Sequence, residues 1–363
     1  MKIKFTDLYK LVHNKQKIFK KINSLIKNNQ FVGGKEVNLF EKEFSSYTGS
    51  KYCVTLANGT DALILAIKAL NIKKNSEVIV PVNTWISTAE AVVACGLKVV
   101  FCDIKLDDYS ICINDLKKKI SNKTRLIIPV HLYGNPADIP ELKKIIKNMN
   151  IKIIEDCAQA HGSKISVRHV GTFGDIGAFS FFPGKNLGCF GDGGAIITNN
   201  KKCYNYILRS RNHGALKKYD HKFPGFNSRL DTIQAGVLRI KLESYGICLR
   251  KRIKLSKIYY KELSHISELQ LYKLNKKYTS SYHQFVIRTK KRNQLRDFLN
   301  RNSIETMVHY PYMLNELSFF NYKKKLSNSY NLGKKILSLP ISEEHTINQI
   351  RYICSKIKLF FKN

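Results

Sequence analysis

From about Val54 to Thr198, short apolar runs alternate with stretches in which apolar residues recur at helical spacing. Glu77-Val-Ile-Val-Pro81, Val99-Val-Phe-Cys-Asp103, Arg125-Leu-Ile-Ile-Pro-Val-His131 and Lys152-Ile-Ile-Glu-Asp156 have the pattern of strands buried on both faces. Asp61 to Leu70, Thr88 to Cys95, Asp115 to Ile120 and Ile139 to Met149 read as the helices between them. Such alternation predicts an α/β fold, a mainly parallel sheet with helices on both faces. Cys53–Leu56 precedes the series as a strand, and Gly177–Phe182 and Gly194–Thr198 add two more.

Beyond about Leu230 the pattern changes. Asp231 to Leu242 predicts a long amphipathic helix that continues in a basic stretch to about Leu263. A strand over Ser281–Arg288 and a helix from Arg292 to Asn300 then suggest a smaller α+β domain. The segment before Gly33 is expected to form a helix packed with it. No Pro/Gly-rich seam marks a boundary; residues 1–240 are assigned to the large domain with its N-terminal helix and 241–363 to the smaller one.

With 363 residues and 44% hydrophobic content, the chain has the size and composition of a two-domain globular protein. No run is long and apolar enough for a signal peptide or a membrane span. Nine cysteines without a C-x-x-C pair fit reduced thiols in a cytoplasm. The formal net charge of +35 raises the question of a polyanionic partner. The lysines are scattered, however, in groups such as Lys73-Lys74, Lys117-Lys118-Lys119 and Lys323-Lys324-Lys325, without a basic tail or a nucleic-acid-binding motif. Specific nucleic-acid binding is therefore not expected.

The stretch Phe179-Ser-Phe-Phe-Pro-Gly-Lys185-Asn-Leu-Gly-Cys-Phe-Gly191-Asp-Gly-Gly194 places one lysine in an apolar, glycine-rich turn between two strands. Desolvation favours the neutral amine, a nucleophile whose product with an aldehyde is a Schiff base. A carbonyl cofactor is implied, and pyridoxal phosphate (PLP) is the usual one. Asp156 ends a strand, where ligands of open α/β sheets bind, and its carboxylate suits a protonated pyridine nitrogen; taken alone it reads more readily as a helix cap, and Lys185 roughly thirty residues later tips it toward the site. Gly59 and Thr60 open a helix after a strand, a ready anion site that otherwise would be a simple capped turn. Ser180 offers a further hydroxyl for a phosphate. Trp85, the single tryptophan, lies just past a strand end, where it either stacks on a ring or fills the core. Gly184-Lys185 is not a phosphate-loop lysine, since Asn186 follows it. His161, His169, His213 and His309 lack metal-ligand spacing, so no metal is expected.

Together these segments resemble the DegT-like (StrS-type) sugar-nucleotide aminotransferases, PLP enzymes of the aspartate aminotransferase fold (fold type I). The resemblance spans nearly the whole chain, through Gly33-Gly-Lys-Glu-Val37, Ala57-Asn-Gly-Thr-Asp-Ala-Leu63, Pro81-Val-Asn-Thr-Trp85, Glu155-Asp-Cys-Ala-Gln-Ala-His-Gly162, Ser180-Phe-Phe-Pro-Gly-Lys-Asn-Leu-Gly188, Gly191-Asp-Gly-Gly-Ala195, Gly225-Phe-Asn-Ser-Arg-Leu-Asp231, Gln234-Ala235 and His309-Tyr-Pro311. It implies that Lys185 carries the cofactor and shuttles protons, that Asp156 partners the pyridine nitrogen, and that Gln159 lies against the ring. Trp85 falls at the stacking position, where relatives often carry Phe or Tyr. Gly59, Thr60 and Ser180 match phosphate contacts. Asn227 matches a residue that reaches the neighbouring subunit's cofactor phosphate, which implies a homodimer with shared active sites.

The same resemblance implies L-glutamate as amino donor and a nucleotide-linked keto sugar as acceptor, for amino-sugar and surface-polysaccharide synthesis. Tyr219 to Arg229 is most similar to members acting on dTDP-linked 3-keto-6-deoxyhexoses; 4-keto sugars and UDP-linked 3-keto sugars are the alternatives. His309 and Tyr310 are expected to line the sugar pocket. Relatives with histidine in place of the lysine dehydrate rather than aminate, and Lys185 argues against that branch. A remaining alternative of another class is a basic nucleic-acid-binding protein on a relict enzyme fold.

Overall fold

A computed structural model describes residues 2–322, 324 and 326–362; Met1, Asn363 and two of the lysine triplet, Lys323 and Lys325, lie outside the described residues. The chain runs α1 (Lys15–Lys27), α2 (Lys35–Thr48), β1 (Tyr52–Leu56), α3 (Gly59–Ala69), β2 (Glu77–Pro81), α4 (Ser87–Ala94), β3 (Lys98–Cys102), α5 (Ile113–Lys119) and β4 (Thr124–Ile127). It continues through α6 (Ile139–Ile145), β5 (Lys152–Asp156), β6 (Lys164–Ile165), β7 (Arg168–His169), β8 (Ile176–Ser180), β9 (Gly194–Thr198) and α7 (Lys201–Ser210). Last come α8 (Thr232–Leu263), β10 (Gln270–Leu271), β11 (Tyr278–Thr279), β12 (Phe285–Arg288), α9 (Arg292–Arg301), β13 (Ile336–Leu339) and α10 (Ile347–Lys362).

The central sheet has seven strands in the order β1-β9-β8-β5-β4-β2-β3. β8, β5, β4, β2 and β3 pair in parallel, and β9 alone runs antiparallel to its neighbours β8 and β1. Alternation along the strands divides the core. Val78, Leu126, Ile154, Ala178 and Ile196 enter one apolar layer, while Ile79, Ile127, Ile153, Phe179 and Ile197 enter the other. Successive side chains of a strand point to opposite faces, so continuous apolar runs mean that both faces are covered. The topology brings the carboxyl ends of β1, β2, β3, β4, β5 and β8 to one edge, and β9 starts there, with Gly194 paired to both Leu56 and Ser180.

A second core gathers around the three-stranded sheet β10-β12-β13, with Leu255, Tyr259 and Leu263 of α8, Leu295 and Leu299 of α9, and Ile350, Ile353 and Ile357 of α10. The continuous 32-residue α8 runs from the first core to the second, so residue 240 falls inside a helix.

Three expectations are corrected. The strand expected over Arg125–His131 pairs as a ladder only through Ile127; Pro129 has no N–H to donate, and the chain goes on as single bonds from Ile128 N–H to Ile79 and from His131 N–H to Asp156. The strand expected from Ser281 starts only at Phe285, because Tyr282 takes a positive φ of 46° and Ser281 bonds to other segments. The N-terminal segment does not pack as one unit. Ile3 bridges Ile304 in the second core, whereas α1 lays Ile18 on Val237 and Ile240 near the start of α8.

Candidate active site

Asp156 stands at the end of β5 and is buried. Its Oδ2 accepts from Thr88 Oγ1 at 2.9 Å and its Oδ1 from the Ala158 N–H at 3.1 Å. With the only proton of Thr88 so committed, Thr84 donates to Thr88 across 3.0 Å. Burial pushes the Asp156 carboxyl above its ordinary range, partly offset by these hydrogen bonds and by the charge of Lys185.

Lys185 lies in the turn after β8. It keeps a partly open face, yet the surrounding protein excludes enough water to pull its pKa down to about 8, against the opposing pull of Asp156. About a tenth of such an amine is neutral at pH 7. Gln159 follows Asp156 and is buried; its Oε1 accepts from the Tyr133 N–H at 2.8 Å and its Nε2 donates to the Tyr310 hydroxyl at 2.9 Å. The Tyr310 ring lies 5.7 Å from that of Trp85, whose indole is 58% exposed at this edge. His309 Nδ1 meets Ser338 Oγ at 2.9 Å, and burial together with the Lys185 charge lowers its pKa to about 4.

A second group of residues lies where α3 begins. Asn58 caps α3 by accepting from the Asp61 N–H at 2.8 Å, and the hydroxyls of Thr60 and Ser87 lie 2.8 Å apart. Gly59 is required, because a Cβ there would come within 2.7 Å of Ser180 Cβ. The cup of Gly59, Thr60 and Ser180 therefore joins a helix N-terminus to the end of β8, a setting suited to an anion. The backbone beside Asn227 is fixed to the same helix end by Ser228, whose hydroxyl donates to Asp61 Oδ2 at 2.6 Å. Asn227 itself is exposed and pairs by its backbone with Asn212.

Residues that spacing did not single out complete the site. Thr88 orients Asp156, Tyr133 orients Gln159, and Asn186 and His283 meet beside Lys185. Glu155, next to Asp156, points to the opposite face. Burial alone would raise its pKa, but His131 Nε2 at 3.0 Å and the N–H groups of Gly171, Phe173 and Gly174 hold it below the usual range. Glu155, His131 and Cys157 form a group with metal-ligating atoms within 4.8 Å of one another, but both nitrogens of His131 and both oxygens of Glu155 are already hydrogen-bonded.

The model of the DegT/DnrJ/EryC1/StrS aminotransferase family matches residues 12–358. The chain is 36% identical to the dTDP-3-amino-3,6-dideoxy-alpha-D-galactopyranose transaminase of Aneurinibacillus thermoaerophilus, over 99% of each chain. It is also 36% identical to the UDP-N-acetyl-3-dehydro-alpha-D-glucosamine 3-aminotransferase of Acidithiobacillus ferrooxidans, over 93% of this chain and 92% of that one. The crystal structure of DesV from S. venezuelae superposes with a TM-score of 0.96 at 32% identity, covering 100% of this chain and 99% of that one. The expected aspartate aminotransferase-like architecture therefore holds. The chain belongs to the DegT/DnrJ/EryC1/StrS aminotransferase family, a family of PLP-dependent enzymes.

Proposed function

We propose that this aminotransferase moves an amino group from L-glutamate to the 3-keto group of a nucleotide-linked hexose, with a dTDP-linked 3-keto-6-deoxyhexose as the first choice. The observation that carries the reading is the pairing of a low-pKa lysine with a buried carboxylate at the carboxyl edge of the sheet. Bound PLP supplies an aldehyde for the amino group and a ring that draws electrons from the bond being broken. The residues fit it: Asp156 suits the ring nitrogen, the open indole of Trp85 and the amide of Gln159 suit the ring, and Gly59, Thr60 and Ser180 form a cup for the phosphate.

In this reading Lys185 holds the cofactor and, once released, its Nζ takes the α-proton of the donor and delivers it again, acting as base and then acid. A pKa near 8 suits both tasks close to neutral pH. Asp156 would meet the ring nitrogen, where its carboxylate would favour positive charge on the ring. Tyr310, held by Gln159, and His309 face the sugar. The 3-position is supported by relatives whose names carry a 3-amino product or a 3-keto substrate. The UDP-linked 3-keto sugar is the second reading, favoured by the Acidithiobacillus relative.

Asn227 is assigned to the partner subunit's cofactor phosphate, so the working enzyme is a homodimer, placed in the cytoplasm. Among the described residues no helix is long and apolar enough to cross a membrane. The test is a panel of dTDP-, UDP- and GDP-linked 3- and 4-keto sugars, each offered to enzyme pre-reacted with L-glutamate. Amination of a 3-keto sugar supports the proposal; turnover confined to 4-keto sugars refutes it. Sedimentation that shows only monomers at full activity would refute the role of Asn227.

A further inference from the structure

We propose that Asn186 and His283 form a clasp that fixes the Lys185 amine in position by fastening the lysine turn to the segment leading into β12. The inference rests on the reading of Lys185 as the residue that holds the cofactor.

The ends of the turn are held by its own backbone, with Lys185 N–H donating to Phe182 at 2.8 Å and Cys189 N–H to Phe181 at 2.8 Å. The crest is held from outside. Asn186 is 4% exposed, and its Nδ2 donates to the Ser281 carbonyl at 2.9 Å. A carbonyl only accepts, so the amide oxygen must face the other way, toward His283 Nδ1 at 3.0 Å. An amide oxygen also only accepts, so His283 carries its proton on Nδ1. One amide orientation and one tautomer satisfy the whole arrangement.

Ser281, the anchor of the clasp, is itself fixed. Its N–H donates to Ser163 Oγ at 3.1 Å and its hydroxyl to the Gln159 carbonyl at 3.2 Å. Gly134 packs so closely that a Cβ there would lie 2.5 Å from Ser281 Oγ. The path Gln159–Ser281–Asn186–His283 therefore joins the lysine turn to the segment that follows Asp156. A shift of Ser281 would move the Lys185 crest relative to the face lined by Asp156 and Gln159.

The charges around the amine fit this role. Lys185 faces Asp156 from the end of β5, His161 from the segment after it, His283 from the segment before β12, and His309 from the segment before β13. Burial, with the Lys185 charge in support, holds His161 at about 3 and His309 at about 4, and places His283 well below its ordinary value. All three imidazoles are neutral where Lys185 titrates, so His283 donates to Asn186 without adding a charge that would repel the ammonium.

Three variants of the PLP-loaded enzyme test the clasp. His283→Phe keeps a ring and removes the donor, His283→Gln keeps a donor for Asn186, and Asn186→Ala removes the bond from the other end. Two quantities are read: the single-turnover rate with L-glutamate, and the pH midpoint of the visible absorption band of the lysine-bound cofactor. Misplacing a reacting group by about 1 Å costs up to a hundredfold in rate. His283→Phe and Asn186→Ala should each slow the step by about tenfold to a hundredfold and shift the midpoint, and His283→Gln should restore most of both. Should His283→Phe fail to fold, Asn186→Ala and His283→Gln carry the comparison. Wild-type rate and midpoint in the Phe and Ala variants would overturn the proposal, as would a Gln variant as impaired as they are. Borohydride reduction of the wild type and peptide mapping separate the two readings. A label away from Lys185 removes the assignment of the lysine itself; a label on Lys185 with indifferent variants removes only the clasp.

Discussion

At the scale of single residues, the chemistry is set by opposing pulls on two ionisable groups. Desolvation lowers Lys185 and raises Asp156, while the attraction between them moves each back toward its charged form. In cofactor-free enzyme, capture of PLP by Lys185 should accelerate as pH rises through about 8 and then level off. Asp156→Asn removes the charge that favours the ammonium, so the midpoint of that rise should move to lower pH while turnover falls on the order of a hundredfold. An unmoved midpoint would mean that the two groups do not interact. The buried imidazoles give a second pH effect. His161, near 3, and His169, near 4, stay neutral at pH values where the unfolded chain binds protons. Their contribution to stability is therefore lost as pH falls from about 6.5 to about 4, read as a falling urea midpoint. His161→Gln should flatten part of that decline. Lys185 and Asp156 were legible in the sequence because a lysine in an apolar turn and a carboxylate at a strand end are anomalous there, whereas Gln159 entered only through the family resemblance. Thr88, Tyr133 and His283 were not legible, since their partners lie 68, 26 and 97 positions away and only the fold brings them together.

At the scale of elements, the strands β2, β5 and β9 were legible to the residue, because burial on both faces leaves a continuous apolar run with polar ends. The pattern does not show where pairing stops. Pro129 ends one ladder early and Tyr282 delays another, and the residue freed in the second case, Ser281, becomes the anchor beside the lysine turn. α2 and α10 went unread although Val37, Phe40 and Phe44, and Ile350, Ile353 and Ile357, follow helical spacing; their apolar stripes are narrow and interrupted by charges. The antiparallel β9 depends on close contact at its start. A Cβ on Gly194 would lie 2.2 Å from the Asn58 carbonyl, so Gly194→Ala must push β9 away from the start of α3. The expected cost is about 1–3 kcal/mol in urea unfolding, with weakened PLP binding alongside. A variant as stable as wild type would show that this edge yields more easily than its packing implies.

At the scale of the molecule, the topology collects the carboxyl ends of six strands at one edge, and α8 carries the chain from that layer to a second core. The segment before β12 then returns His283 and Ser281 to the lysine turn, so the site is closed by residues from well beyond the sheet. The central claim is that Lys185 holds PLP and is released from it when the amino group of L-glutamate takes its place. The most direct measurement is the visible spectrum of the purified protein before and after L-glutamate is added, beside that of Lys185→Ala. Wild type should show the band of lysine-bound PLP and lose it on addition of the amino acid, while Lys185→Ala shows no such band and at least a thousandfold slower turnover. A wild-type protein without the band after incubation with PLP, or a Lys185→Ala variant that keeps it, would contradict the assignment.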